Sequence, residues 1–367
     1  MKHSFFSGLF IAACTALVAC GTTADETGSG GNGGTAAGGG GAGGNGGTAT
    51  TTSGGGTGGG DPVPGTQSVA FGPITVQPGE ENTQCIQIRL GNLEQLRVHQ
   101  IHNVLSDGSH HMIVYRTNDT EEKLTPYDCQ PFVDTLDPTK GSPLMVTQKH
   151  DDLLTLPDNV AFTLVPNQMV RLEVHYINAT ANPLEMTATT SFIPIAETDY
   201  KHEADFLFIG DPDIDIPAMS AATLGPVFLP LGKLLPEVAD NATFFAITGH
   251  THQWGKNVKV NVASDANDPG TPVYDVNNWS WSEPETVQHD PGFKVPADGG
   301  FRFSCEWDNK GPQSVGFGES ANDEMCFFWA YYYPSKGSYV CAHSEQAPQF
   351  GTDLCCPGSP ICGFLFN

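Results

Sequence analysis

The sequence predicts an all-β fold of sandwich type. Three observations carry this: short apolar or alternating runs rich in Val, Ile, Thr and aromatics recur along the chain, Gly, Pro, Asn and Asp punctuate them, and no long segment shows a 3.6-residue apolar period. The runs are Val69 to Val76, Cys85 to Leu90, Met112 to Tyr115, Val170 to Ile177, Met186 to Phe192, Phe206 to Ile209, Val258 to Val262, Phe301 to Cys305 and Cys326 to Tyr333. Leu231 to Leu235, between two prolines, is a short and peripheral helical stretch. The folded part spans about 300 residues, long enough for two domains of typical size. A boundary falls near Pro194 to Lys201, where a strand-like run gives way to a polar stretch. No internal repeat of fixed period is present.

In chain order, Lys2 and His3 precede an apolar run from Phe5 to Ala19 that ends at Cys20. A basic start, a short apolar core and small residues before the cut form a secretory signal, too short for a stable membrane span. The ending Leu17, Val18, Ala19, Cys20 resembles a bacterial lipobox, which implies lipidation at Cys20 and an exported lipoprotein anchored on the periplasmic side or at the cell surface; simple cleavage near Ala13 or Ala19 is the other reading. From Gly21 to Gly60 the chain holds 20 of its 43 glycines, with Thr, Ala, Ser and Asn. Such a segment buries too little apolar surface to offset its ordering entropy and acts as a tether. Asp61 to Pro64 close it. The division expected is signal peptide 1–19, lipidated Cys and linker 20–67, first domain 68–197, second domain 198–345 and cysteine-rich tail 346–367.

The charge of −25, from 16 Lys and Arg against 41 Asp and Glu, makes nucleic acid an improbable partner. No protein partner is expected either. Apart from Cys14 and Cys20, the cysteines are Cys85, Cys129, Cys305, Cys326, Cys341, Cys355, Cys356 and Cys362. An even number in an exported chain predicts disulfides rather than thiolate ligands, with connectivity open from sequence alone.

The stretch Phe244 to Trp254 contains Gly249, His250, Thr251, His252. In an extended strand alternate side chains share a face, so both imidazoles reach one ion. Met325, ahead of the aromatic run Phe327 to Tyr333, is the best third ligand, and a thioether beside two imidazoles favours copper over zinc, magnesium or calcium. His110 and His111 enter the run Met112 to Tyr115, and His175 lies within Leu172 to Tyr176. Adjacent strand residues face opposite ways, so His110 and His111 share an ion only if the backbone twists or bulges. Most remaining histidines, including His99, His102, His150, His202, His289 and His343, are expected at the surface or in ordinary hydrogen bonds.

His-His-Met at 110, Val-His-Tyr at 174, His-Thr-His at 250 and Glu-Met-Cys at 324, with Cys305 to Asn309 and Val315 to Gly318 between them, stand in an order that resembles the copper type II, ascorbate-dependent monooxygenases. The resemblance covers roughly residues 68 to 345, the folded part before the tail. It implies two antiparallel, jelly-roll-like β-sandwich domains facing across a solvent-filled cleft, with one copper each. His110, His111 and His175 would hold the electron-transferring copper; His250, His252 and Met325 would hold the oxygen-binding, catalytic one. It also implies Cys85 with Cys129 and Cys305 with Cys326 as disulfides. The implied activity hydroxylates a C–H bond with O2 and two electrons from ascorbate or another donor.

Peptide-hydroxylating members of that family grip a substrate carboxylate with an Arg, an Asn and a Tyr, where this chain has Thr248, Phe327 and Trp329. A glycine-extended peptide is therefore not the expected substrate, which is a small molecule or a side chain. Phe327 and Trp329 fall on the Met325 face of a strand and either line an apolar pocket or pack in the core. Glu173, two residues before His175, adds a carboxylate near the first site. Two other readings stand beside the enzyme: a non-catalytic copper-handling lipoprotein, and a zinc protein, which the methionine disfavours.

Overall fold

The computed structural model describes residues 51–53, 63–129, 141–318, 320, 322–346 and 351–357. The signal segment, Cys20, most of the tether and Cys362 lie outside them. Among the described residues no helix is long and apolar enough to cross a membrane. The protein is nearly all β, built on four main sheets.

In the first sandwich, one sheet holds Lys123–Asp128, Glu81–Arg89, Met169–Ile177, Ser109–Thr117 and Gly141–Thr147, in that spatial order. The opposing sheet is built on Gln67–Val76, Leu184–Ile195, Leu96–Leu105 and Val160–Leu164. Alternating residues such as Ile86, Ile88, Val114, Leu172 and Val174 close the core between them. His202–Glu203 still pairs with this sandwich, beside Val160–Leu164, while Asp205–Gly210 already belongs to the next.

The second sandwich has a six-stranded sheet in the order Thr286–Phe293, Thr243–His250, Phe327–Tyr333, Asp205–Gly210, Tyr339–His343, Asp353–Cys356. Four strands, Ser220–Leu229, Gly300–Asn309, Gly255–Ala263 and Thr271–Asp275, form its partner sheet. Two short helices, Leu231–Leu234 and Pro236–Asn241, connect them at the periphery.

The six-stranded sheet is covered on both faces, which explains why Phe327–Tyr333 reads as an unbroken apolar run. Phe328, Ala330 and Tyr332 enter the second core with Leu207, Ile209 and Phe244. Phe327, Trp329 and Tyr331, with Phe206, Phe208 and Phe245, join the core of the first sandwich instead. One apolar cluster therefore runs across the boundary between the sandwiches. A polar seam adds to it: Arg116 pairs with Glu203 at 2.8 Å and with Asp205 at 3.5 Å, and Ser335 donates to Asp205 at 2.9 Å.

Disulfides join Cys85 to Cys129, Cys305 to Cys326 and Cys341 to Cys355, and Cys356 is disulfide-bonded too. The first two are the pairs the resemblance implies. The second ties Gly300–Asn309 to the residue that follows Met325.

Candidate metal centre

His110 and His111 stand at the start of Ser109–Thr117, and His175 on the neighbouring strand. His175 lies opposite His111, yet the next residue, Tyr176, lies opposite Ser109. His110 is thus the extra residue of a β-bulge, which lets two adjacent side chains turn to one side. One donor atom from each of the three histidines lies within 4.8 Å of the others. The Nδ1 atoms of His110 and His111 are 3.2 Å apart. His175 Nε2 lies 3.1 Å from Glu81 Oε1, an acceptor that places the proton on Nε2 and the lone pair on Nδ1. Burial, reinforced by the neighbouring imidazoles, lowers His110 and His175 to about 4 and holds His111 well below its ordinary value. The rings stay neutral at neutral pH, the state a metal needs.

His250 ends the strand Thr243–His250, and His252 lies just beyond it. Strand alternation does not align this pair. The chain turns back at once, with Gly255 N–H donating to the His252 carbonyl at 2.9 Å. A Cβ at Gly255 would overlap Thr251, so the tight turn requires glycine. What holds His252 is Glu324, fully buried, whose carboxylate accepts from His252 N–H at 2.8 Å, Trp254 N–H at 2.7 Å and Trp307 Nε1–H at 2.9 Å. Burial pushes this carboxyl up to about 7 against those donors. Because Glu324 precedes Met325, the same side chain ties the methionine segment to the His252 turn. Met325 itself is buried.

Ring nitrogens are assigned here as well. His250 Nδ1 donates to Gln148 Oε1 at 3.3 Å, and His252 Nδ1 to the Asp323 carbonyl at 3.1 Å. Both bonds place the proton on Nδ1 and make Nε2 the basic nitrogen, with the two rings 5.0 Å apart. Burial lowers both histidines from their ordinary value, His250 the further.

The two sets meet. Gln148 belongs to the first sandwich and His250 to the second, and the His111 and His250 rings are 6.5 Å apart. Trp281, on the loop between Thr271–Asp275 and Thr286–Phe293, covers His110 at 4.9 Å between ring centroids. The sandwiches do oppose one another, but at the histidines the expected solvent-filled cleft is closed, because side chains of each sandwich reach histidines of the other. A pocket of about 350 Å³ opens beside the first set, between Glu81, Thr83, His111, His175 and Ser320.

Thr248, Phe327 and Trp329 all face the first sandwich and are packed. Phe327 stacks on Phe208 at 4.6 Å, Trp329 lies 4.8 Å from Phe208 and 5.4 Å from His250, and Thr248 shares a hydrogen bond with Thr286. Glu173 is turned to the Cys85–Cys129 bridge and accepts from Tyr115 at 3.2 Å, so it serves the core rather than the histidines. His99, His150 and His289 bond backbone carbonyls, and His102 and His343 pair with Asp151 and Asp353. Three residues around the centre, Glu81, Gln148 and Trp281, escaped the sequence reading, as did the clamping role of Glu324. Only Glu324 carried a signal, its place in the Glu-Met-Cys motif, which gave its position but not its role.

Residues 234–352 match the family model described as copper type II ascorbate-dependent monooxygenase, C-terminal domain. That match and the motif order read from the sequence name the same family. No curated protein matches the chain. Among solved structures, the major capsid protein P2 from bacteriophage PM2 overlaps 72% of this chain and 99% of its own, at 8% identity and a TM-score of 0.29. A tail fiber protein from an E. coli phage overlaps 75% of this chain and 36% of its own, at 9% identity and a TM-score of 0.14. Similarities this loose carry no argument.

Proposed function

We propose that the protein is a copper-dependent monooxygenase that hydroxylates a C–H bond of a small molecule or side chain, using O2 and two electrons from ascorbate or a comparable donor. The observation that supports it best is the pair of histidine sets, one per sandwich, in which Glu81, Gln148 and the Asp323 carbonyl each hold one ring nitrogen and so turn the other, basic nitrogen to a metal. The donor chemistry fits copper: imidazoles alone in the first set, imidazoles with Met325 in the second. Copper bound there supplies one-electron redox chemistry and a site for dioxygen.

The chain's own residues do the rest. Burial keeps the imidazoles neutral, Glu324 fixes the His252 turn against Met325, and the apolar boundary excludes water. The pocket beside His111 and His175 admits a small reactant. Disulfide pairing of Cys85, Cys129, Cys305 and Cys326 keeps thiols from metal and oxygen. In this reading Cys20 carries the lipid anchor, and the tether, spanning on the order of 35 Å, gives reach from an exported membrane face.

One observation favours a second reading. The positions where peptide-hydroxylating relatives grip substrate are packed solid here by Phe327 and Trp329, as in a copper handler without substrate access. The test is metal content and oxygen uptake on the full chain produced in an oxidising compartment. Two coppers per chain, one in His250→Ala, with ascorbate-driven uptake above that of free copper, support the enzyme. Two coppers without uptake support the handler. No copper defeats both.

A further inference from the structure

The strand ladders lose register at three places that border one cavity. On Leu96–Leu105 the partners of Leu184–Ile195 jump from Gln100 to Val98, which leaves His99 without an opposite residue. Phe245 is skipped in the same way where Thr243–His250 pairs with Phe327–Tyr333. On Thr286–Phe293 the residues His289 to Gly292 all stand opposite Phe245 alone. A Cβ at Gly292 would lie 2.6 Å from the Phe244 carbonyl oxygen, so this excursion needs glycine at its close approach. Bulges re-aim side chains, and here they turn His99, Phe245 and His289 toward a cavity of about 490 Å³. That volume suits a small molecule, and the place, between strands of the two sandwiches, is where such sites concentrate. Gln288 of the second sandwich closes one side by donating to the Leu153 carbonyl of the first at 3.5 Å.

The lining is chemically one-sided. It includes the exposed carboxylates Asp158 and Asp290 and, among the described residues, no Lys or Arg. His99 donates Nδ1–H to the Val160 carbonyl at 3.0 Å and His289 donates Nε2–H to the Val273 carbonyl at 2.9 Å, so the other nitrogen of each neutral ring is an acceptor. Leu156, Pro157 and Phe245 add apolar surface. An anion would meet acceptors and negative charge here; a cation with N–H donors meets partners for both. The geometry points to a binding site, separate from the histidine centre, for an amine or amidinium cation that carries an apolar ring. The inference goes beyond the copper reading and does not depend on it. No histidine of either set lines the cavity, and Phe245 precedes His250 by five residues of one strand, roughly 16 Å.

The experiment is titration calorimetry of the full chain with benzamidine at about pH 8, above the ordinary histidine range, with benzoate as the anion of similar shape. Benzamidine should bind at about one per chain with a Kd on the order of 1 mM or below, more weakly as salt is added, and equally with or without copper. Benzoate should not bind. Asp158→Asn/Asp290→Asn, two exposed positions, should weaken benzamidine about tenfold while the urea midpoint stays put. Absence of benzamidine binding overturns the inference, and so does benzoate binding as tightly. Binding that is unchanged in the double variant, or that appears only with copper, places the cation elsewhere and overturns it too. None of these results bears on the monooxygenase reading, whose own test is copper content and oxygen uptake.

Discussion

Acidification of the metal-free protein is the perturbation whose size follows most directly from the centre. His110 and His175 titrate at about 4 in the folded chain against an ordinary value of 6.5. Between those limits the unfolded chain binds more protons than the folded one, so stability falls as pH drops from 6.5 toward 4. Each shift is worth about 3 kcal/mol once pH is below both values, and roughly 2 kcal/mol at pH 5. Together the two residues remove about 4 kcal/mol at pH 5, a large part of the roughly 5–15 kcal/mol that typically holds a domain folded. His111, His250 and His252 shift in the same direction and deepen the loss. The assay is urea unfolding of chelator-treated protein at about pH 7.5, 6.5, 5.5 and 5.0, beside His110→Asn/His175→Asn. The wild type should lose about 4 kcal/mol more than the variant between about pH 7.5 and 5.0. Parallel pH dependence of the two proteins would refute the claim that these imidazoles are buried and neutral.

Other expectations follow from single contacts. Met325→Leu conserves volume and should cost under about 1.5 kcal/mol of stability, yet lower copper content from two per chain to one, read by chemical analysis. Glu81→Gln removes the carboxylate behind His175 and should weaken copper at the first set about tenfold in a competitive chelator titration, leaving the second set unchanged. Cys305→Ala/Cys326→Ala opens a loop of sequence separation 21 and should cost about 3 kcal/mol in denaturant unfolding. A Cβ at Gly210 would overlap the Phe327 ring, itself stacked on Phe208, so Gly210→Ala should cost about 1–3 kcal/mol and Phe327→Leu should recover part of it.

How far the fold was legible depends on which faces are buried. Strands with one apolar face, such as Gln67–Val76 and Met169–Ile177, or with two, such as Phe327–Tyr333, stood out as runs. Thr286–Phe293 did not, because it lies at a sheet edge with none of its residues fully buried, so its Gln, His, Asp and Pro carry no apolar pattern. Leu96–Leu105 was hidden by His99, Gln100, His102 and Asn103 between its apolar residues. The need for a bulge at His110 and His111 could be read from strand alternation, and the ladder contains it. The same rule misled at His252, where a turn and the Glu324 clamp replace strand geometry. Glu81 lies 94 residues from His175 and Gln148 lies 102 from His250, separations at which one sequence holds no record of contact.

The packing of Phe327 and Trp329 bears on what reaches the centre. Were these rings the wall of a substrate pocket, they would border a space on the Met325 face of the sheet. They instead fill that face against Phe208 and His250, while the pocket of about 350 Å³ opens beside Glu81 and His175. Approach through that pocket meets a carboxylate first, in a chain of net charge −25, which disfavours an anionic reactant and favours a neutral or cationic one. Ascorbate is an anion at neutral pH. Reduction by ascorbate should therefore speed up with added salt, and Glu81→Gln should flatten that dependence. A rate that instead falls with salt would place the reductant's approach on another face.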